Sequence, residues 1–135
     1  MQITRQADYA IRAVRYLTRL GMDKRAATST VAQEMKIPPS FLAKIISQLS
    51  IAGLLHTSRG ARGGVSLARD PKEISLLDVV EAIDGPILLN ECVGDLENCP
   101  FKEDCLVHPI WVEVQGTLAR RLSETRFDTL TNGKG

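Results

Sequence analysis

The sequence predicts a mainly α-helical chain with one small β-hairpin: a winged helix-turn-helix completed by a long C-terminal helix. Three observations predict it. Two short amphipathic segments are divided by Lys36-Ile37-Pro38-Pro39-Ser40, two alternating segments flank a basic glycine-rich turn, and an apolar stripe runs from Ile110 to Leu122. At 135 residues and 44% apolar composition the chain has single-domain length and enough apolar side chains for a core, which excludes a disordered protein.

Residues 5–20 form the first expected helix, because Ala7, Ala10, Ile11, Val14 and Leu17 recur at steps of three and four. Its other face carries Asp8, Arg12, Arg15 and Arg19, a stripe that offers cations to phosphate. Thr28-Ser29-Thr30, with Gln33 three residues after Thr30, provides capping oxygens for a short second helix bearing Val31, Ala32 and Met35. Pro38 and Pro39 break it, and Pro39 fits the first turn of a third helix with Leu42, Ile45, Ile46 and Leu49 inside and Ser40, Ala43, Lys44, Ser47 and Gln48 outside. Gly53 supplies a left-handed stop.

Leu55-His56-Thr57-Ser58 and Val65-Ser66-Leu67 alternate around Arg59-Gly60-Ala61-Arg62-Gly63-Gly64, the pattern of a hairpin with a doubly basic tip. Ser75 and Asp78 make a capping pair for a fourth helix through Val79, Val80 and Ile83, which Gly85-Pro86 stops. Residues 87–107 have no sustained period and contain every cysteine, and a loop of this length in a small domain is usually functional. Pro109 starts the last helix, where Ile110, Val114, Leu118 and Leu122 repeat at four, with Trp111 and Ala119 widening the stripe. Thr129 to Gly135 are expected to fray. The expected divisions are 1–86, the winged helix-turn-helix; 87–107, the cysteine loop; 108–130, the last helix; and 131–135, a frayed tail, all within one domain.

The formal net charge of +1 conceals a division: residues 1–72 carry 12 Lys/Arg against 4 Asp/Glu, and residues 73–135 carry 5 against 12. A basic half with a helix-turn-helix and a basic hairpin fits double-stranded DNA. Lys44 and Gln48 can reach base edges in a major groove, Thr30 and Ser40 can bond phosphate, and Arg59 or Arg62 can enter a narrow minor groove. Gly63 and Gly64 would allow the backbone close to the duplex. No segment approaches the roughly 18 apolar residues of a membrane span, and Met1-Gln2-Ile3-Thr4-Arg5 is not a basic-then-apolar signal, so no membrane contact and a reducing cytoplasmic location are expected. No nucleophile–base set or phosphate loop suggests an enzyme.

Cys92, Cys99 and Cys105 fall in an acidic loop, and His108 follows Cys105 by three. Thiolates gathered among carboxylates call for a cation, and soft sulfur ligands suit zinc or an iron–sulfur cluster. Structural zinc favours Cys-x₂₋₄-Cys knuckles; the wider spacing here favours a cluster.

Four pieces carry a family resemblance: Ala7-Asp8-Tyr9-Ala10-Ile11-Arg12-Ala13; Leu42-x-x-Ile45-x-x-Gln48-Leu49 ending in Ala52-Gly53-Leu54; Ser58-Arg59-Gly60-x-x-Gly63-Gly64; and Cys105-Leu106-Val107-His108-x-x-Trp111. In this order, over roughly residues 1–130, the chain resembles the bacterial IscR/NsrR (Rrf-type) winged-helix transcription regulators. The resemblance implies a homodimer joined by the C-terminal helix, and a promoter-binding activity governed by an iron–sulfur cluster on Cys92, Cys99 and Cys105. His108 matches the fourth ligand of the IscR branch, which holds 2Fe–2S; Asp8 matches a ligand that some NsrR-like 4Fe–4S proteins supply in trans. The Cys-Leu-x-His-x-x-Trp ending favours His108 and 2Fe–2S. Two departures stand out: the first cysteine spacing is one residue longer than the family's five-and-five pattern, and Ala43 replaces a glutamate that sorts promoter classes in the IscR branch. The rival readings are an iron–sulfur carrier or electron-transfer protein, and a winged-helix repressor with structural zinc.

Overall fold

The computed structural model describes residues 2–60, 63–94, 97 and 99–131. Helix α1 (Arg5–Leu20) begins at Thr4, whose side-chain oxygen accepts from the Ala7 N–H at 3.1 Å. Ala7, Ala10, Ala13, Val14 and Leu17 are buried, and the three alanines let α1 lie close to its neighbours. Those neighbours are α3 (Pro39–Ile51), which buries Leu42, Ile45, Ile46 and Leu49, and α4 (Leu76–Asp84), which buries Val79 and Val80.

Between α1 and α3 lies α2 (Thr28–Met35). Its N-cap is Ala27 and no side chain caps it, unlike the expected Thr30–Gln33 arrangement. The cause is tertiary. Ala26 is held in extended form by two backbone hydrogen bonds with Val65 (3.0 and 2.8 Å), so the helix must start directly after it, and Thr28 to Thr30 become its first turn. Lys36 closes α2 at φ +55°, a left-handed conformation that only a sharp turn requires of a lysine. Pro38 and Pro39 then open α3 as the sequence predicts.

Strands β1 (Leu55–Ser58) and β2 (Gly64–Leu67) pair antiparallel with Leu55 opposite Leu67 and Ser58 opposite Gly64. Leu55, Val65 and Leu67 face the core. A Cβ on Gly64 would lie 2.5 Å from the Ala26 carbonyl oxygen, and one on Gly63 would strike the Ser58 carbonyl. Both glycines are therefore demanded by the hairpin's own packing, a reason separate from any approach of DNA. Arg62, at the expected basic tip, lies outside the described residues.

The Ser75–Asp78 capping box forms in both directions, at 2.9 and 3.0 Å, and Gly85 ends α4 as expected. The short helix α5 (Glu91–Gly94) interrupts the cysteine loop, and α6 (His108–Glu124) follows. None of the α6 residues is buried; the helix rests on α4 and α5.

The chain then returns to the core. Leu76 N–H donates to the Thr125 carbonyl at 2.8 Å, Phe127 N–H donates to the Ile74 carbonyl at 3.1 Å, and Phe127 is fully buried at the start of a 3₁₀ turn, Phe127–Leu130. The Nε groups of Arg15 and Arg19 donate to the carbonyls of Leu130 and Thr131. Residues 129–131 are thus docked rather than frayed, because the α1 cations that the sequence offers to phosphate hold them. Truncating Phe127→Ala should cost about 3–5 kcal/mol of stability in chemical denaturation, the magnitude typical of emptying a buried aromatic site.

Candidate functional site

The first candidate surface is built on α3 and the hairpin. Ser40, Ala43, Lys44 and Ser47 are exposed along α3, as is Thr30 in the first turn of α2. Gln48 departs from expectation. It is half-buried, and its Oε1 lies below the surface without a hydrogen-bond partner. At three residues past Ile45, the helical period sets Gln48 on the border of the apolar stripe rather than on the outer face.

Arg59 is exposed at the end of β1. Arg25 reaches across to the Ser58 hydroxyl at 3.2 Å and adds a cation at the hairpin's base. Only pairing of Ala26 with Val65 brings it there, so no sequence period announces it. At the other end of this surface Phe41 of α3 meets Tyr9 of α1, with ring centroids 6.2 Å apart, and the Arg12 guanidinium lies 5.4 Å from the centroid of the Tyr9 ring. Arg12 also pairs with Asp8 at 2.8 Å. Arg12, Arg15 and Arg19 are consequently engaged within the subunit, as Arg25 is with Ser58, and Lys44, Arg25 and Arg59 are exposed on the side of α3 and the hairpin.

The second candidate site is a cavity of about 630 Å³ between the loop and α6, lined by Cys92, Cys99, Cys105, Leu88, Phe101 and Trp111 among others. Cysteines spread over 14 positions thus share one cavity, all of them free and half-buried. Their sulfurs do not converge on a point: among the described residues no three His, Cys, Asp or Glu side chains are grouped tightly enough to hold one metal ion. His108 stands at the mouth of α6. Its backbone N–H donates to the Cys105 Sγ at 3.3 Å, and its Nδ1 is buried with no hydrogen-bond partner. An orphaned imidazole nitrogen three residues from Cys105 fits a soft metal centre, because a buried acceptor without a partner is otherwise costly. Neither His108 nor Asp8 lines the cavity itself; Asp8 sits at the start of α1, ion-paired to Arg12.

Gln115 is the residue that sequence reasoning passed over. Its Oε1 accepts from the Leu89 N–H at 2.8 Å and its Nε2 donates to the Ile87 carbonyl, so one side-chain amide brackets the loop as it leaves α4. The signal was present in the spacing: His108, Trp111 and Gln115 share one helical face.

Comparison with known proteins identifies the family and the fold. The model of the Rrf2 family, described as iron-dependent transcriptional regulators, matches residues 3–133. The chain is 32% identical over 134 residues to the HTH-type transcriptional regulator NsrR of Halalkalibacterium halodurans, covering 98% of this chain and 92% of that one. Among solved structures it resembles CymR, the global cysteine regulator of B. subtilis, with a TM-score of 0.80 and 22% identity over 100% of this chain and 99% of the other. T. potens IscR matches with a TM-score of 0.76 and 20% identity over 99% and 89% of the two chains. These likenesses confirm the winged-helix fold, and the relatives are transcriptional regulators rather than enzymes.

Replacing Arg59→Ala should weaken binding to duplex DNA and lower the slope of log affinity against log salt by about 1, the loss of one phosphate contact. Fluorescence anisotropy at several salt concentrations measures both; an unchanged slope would remove the hairpin from the interface.

Proposed function

Because the chain belongs to the Rrf2 family of iron-dependent transcriptional regulators, we propose that its promoter binding is governed by an iron–sulfur cluster held by Cys92, Cys99, Cys105 and His108. The observation that carries this reading is the shared cavity of the three cysteines, with His108, whose Nδ1 is buried without a partner, joined to the Cys105 Sγ through its backbone N–H. Such a cluster, when bound, supplies a redox- and nitric-oxide-sensitive centre whose charge and integrity report the state of the cell. The choice of 2Fe–2S over 4Fe–4S follows from histidine rather than aspartate as the fourth ligand.

The remaining work belongs to the protein. Lys44 meets base edges, with Gln48 at the border of that face, Thr30 and Ser40 meet phosphates, and Arg59, with Arg62, Gly63 and Gly64, enters the minor groove. The protein acts as a homodimer, so two copies of α3 reach half-sites about one helical turn apart. What supports the dimer is α6, which leaves Ile110, Val112 and Val114 roughly half exposed at 52%, 47% and 45%. The cysteine loop lies between α4 and α6, so a change within it alters the angle at which α6 carries one subunit against the other. Moving the promoter from nearly full to nearly empty requires about 5.5 kcal/mol of differential affinity. The chain works where such regulators meet the chromosome, in the cytoplasm, with no helix long and apolar enough to cross a membrane among the described residues.

Anaerobic purification with visible absorption and analysis of iron, sulfide and zinc tests the cluster. Coloured protein with near-equal iron and sulfide is expected, and colourless protein with one zinc per chain would refute it. His108→Ala should lose the chromophore while Asp8→Ala retains it; the reverse would transfer the fourth ligand to Asp8. Val114→Asp should convert the dimer to monomer in analytical ultracentrifugation and weaken DNA binding at least tenfold, since a charge replaces an apolar contact between helices.

A further inference from the structure

We propose that Gln115 is a positioning residue that couples the cysteine cavity to the DNA-reading helices by fixing Leu88 between them. The proposal rests on the functional reading above and names the part of the chain through which it operates.

The geometry begins with the bracket. Gln115 holds Ile87 by its carbonyl and Leu89 by its N–H, and so fixes the backbone on both sides of Leu88. Leu88 lines the cysteine cavity on one side. On the other it lines a second cavity of about 250 Å³, together with Thr4, Asp84, Pro86 and Ile87. Within the cysteine cavity Leu88 also supports α5, the turn carrying Cys92. A Cβ on Gly94 would come within 2.8 Å of the Leu88 Cδ1, so a larger residue there would displace the end of the Leu88 side chain.

Across the second cavity the helices meet. Thr4 donates to Asp84 through both its backbone N–H and its hydroxyl, joining the N-cap of α1 to the last residue of α4. One turn further along α1, Tyr9 packs against Phe41 at the N-terminal end of α3. A series of neighbouring groups therefore runs from α5 to Leu88, which shares the second cavity with Thr4 and Asp84 of the α1–α4 junction, and from there along α1 to Phe41 of α3. Gln115 determines where its middle member stands.

A side-chain amide is suited to this task. It satisfies one backbone donor and one backbone acceptor at once, and losing it leaves both groups unpaired. Residues that orient a ligand-bearing segment without touching the ligand commonly tune what that ligand does. Physical continuity alone does not establish coupling, so the test measures coupling itself.

The comparison is the DNA affinity of the full-length dimer loaded anaerobically with ferrous iron and sulfide against that of the same protein stripped by chelator. It is made for the parent, Gln115→Met and Gln115→Glu. In the parent the two affinities should differ at least tenfold. Gln115→Met should keep the visible absorption of the loaded form and bind DNA in the stripped form within about twofold of the parent, yet shrink the loaded-to-stripped difference at least fivefold. Hydrogen exchange at the Leu89 amide should lose protection in Gln115→Met and keep it in Gln115→Glu, whose carboxylate still accepts from that N–H. If Gln115→Met does not fold, Gln115→Glu supplies the same comparison of affinities, with a smaller loss expected. A parent difference well above one that both variants preserve overturns the role of Gln115 alone, even if their melting temperatures fall. A parent difference near one overturns the functional reading and the coupling with it.

Discussion

Helix α6 buries none of its own residues, and a helix of 17 residues has little stability in water by itself. It keeps its place because the chain beyond it is sewn into the core. The fully buried Phe127 side chain and the two backbone hydrogen bonds from Leu76 and Phe127 anchor its far end to the start of α4. Gln115 ties its middle to the exit of α4. The cysteine loop is thereby a span between fixed supports, and the three thiols can share a cavity without any disulfide or regular element of more than one turn to gather them.

The same anchoring redistributes charge. Of the net +8 in residues 1–72, three of the four cations of α1 bond within the subunit: Arg12 to Asp8 and Tyr9, Arg15 and Arg19 to carbonyls of the returning chain. Among the exposed cations, Lys44, Arg25 and Arg59 lie at α3 and the hairpin, where a duplex would lie, while Arg5, Lys24, Lys36 and Lys72 are exposed elsewhere. Tyr9 links the two populations, since it touches Arg12 on one side and Phe41 of α3 on the other.

Much of the fold was legible because its signals are local. Periods of three and four marked α1 and α3, the Ser75–Asp78 pair marked the start of α4, and Gly53 and Gly85 marked turns that do take positive φ. The start of α2 was not legible, because its cap is decided by Val65, more than 30 residues away. Gln48 was misjudged for a related reason: a residue at the edge of an apolar stripe is exposed or half-buried according to what packs beside it. Thr129 to Thr131 read as a polar tail, and nothing in their own composition reveals that Arg15 and Arg19 receive them.

By itself, then, the sequence determined the helix-turn-helix, the hairpin and the set of cysteines in one loop, since each depends on residue types at short separations. Family membership agrees with the first two and with regulation of transcription. Only the tertiary structure decided which cations face outward, that Cys92, Cys99 and Cys105 line one cavity, and that an amide on α6 registers the loop against α4. The hydrogen bonds of Gln115, Arg25, Arg15 and Arg19 behind these outcomes join groups 26 to 115 residues apart, and bonds of that reach are specified by packing of the whole chain rather than by any period within it.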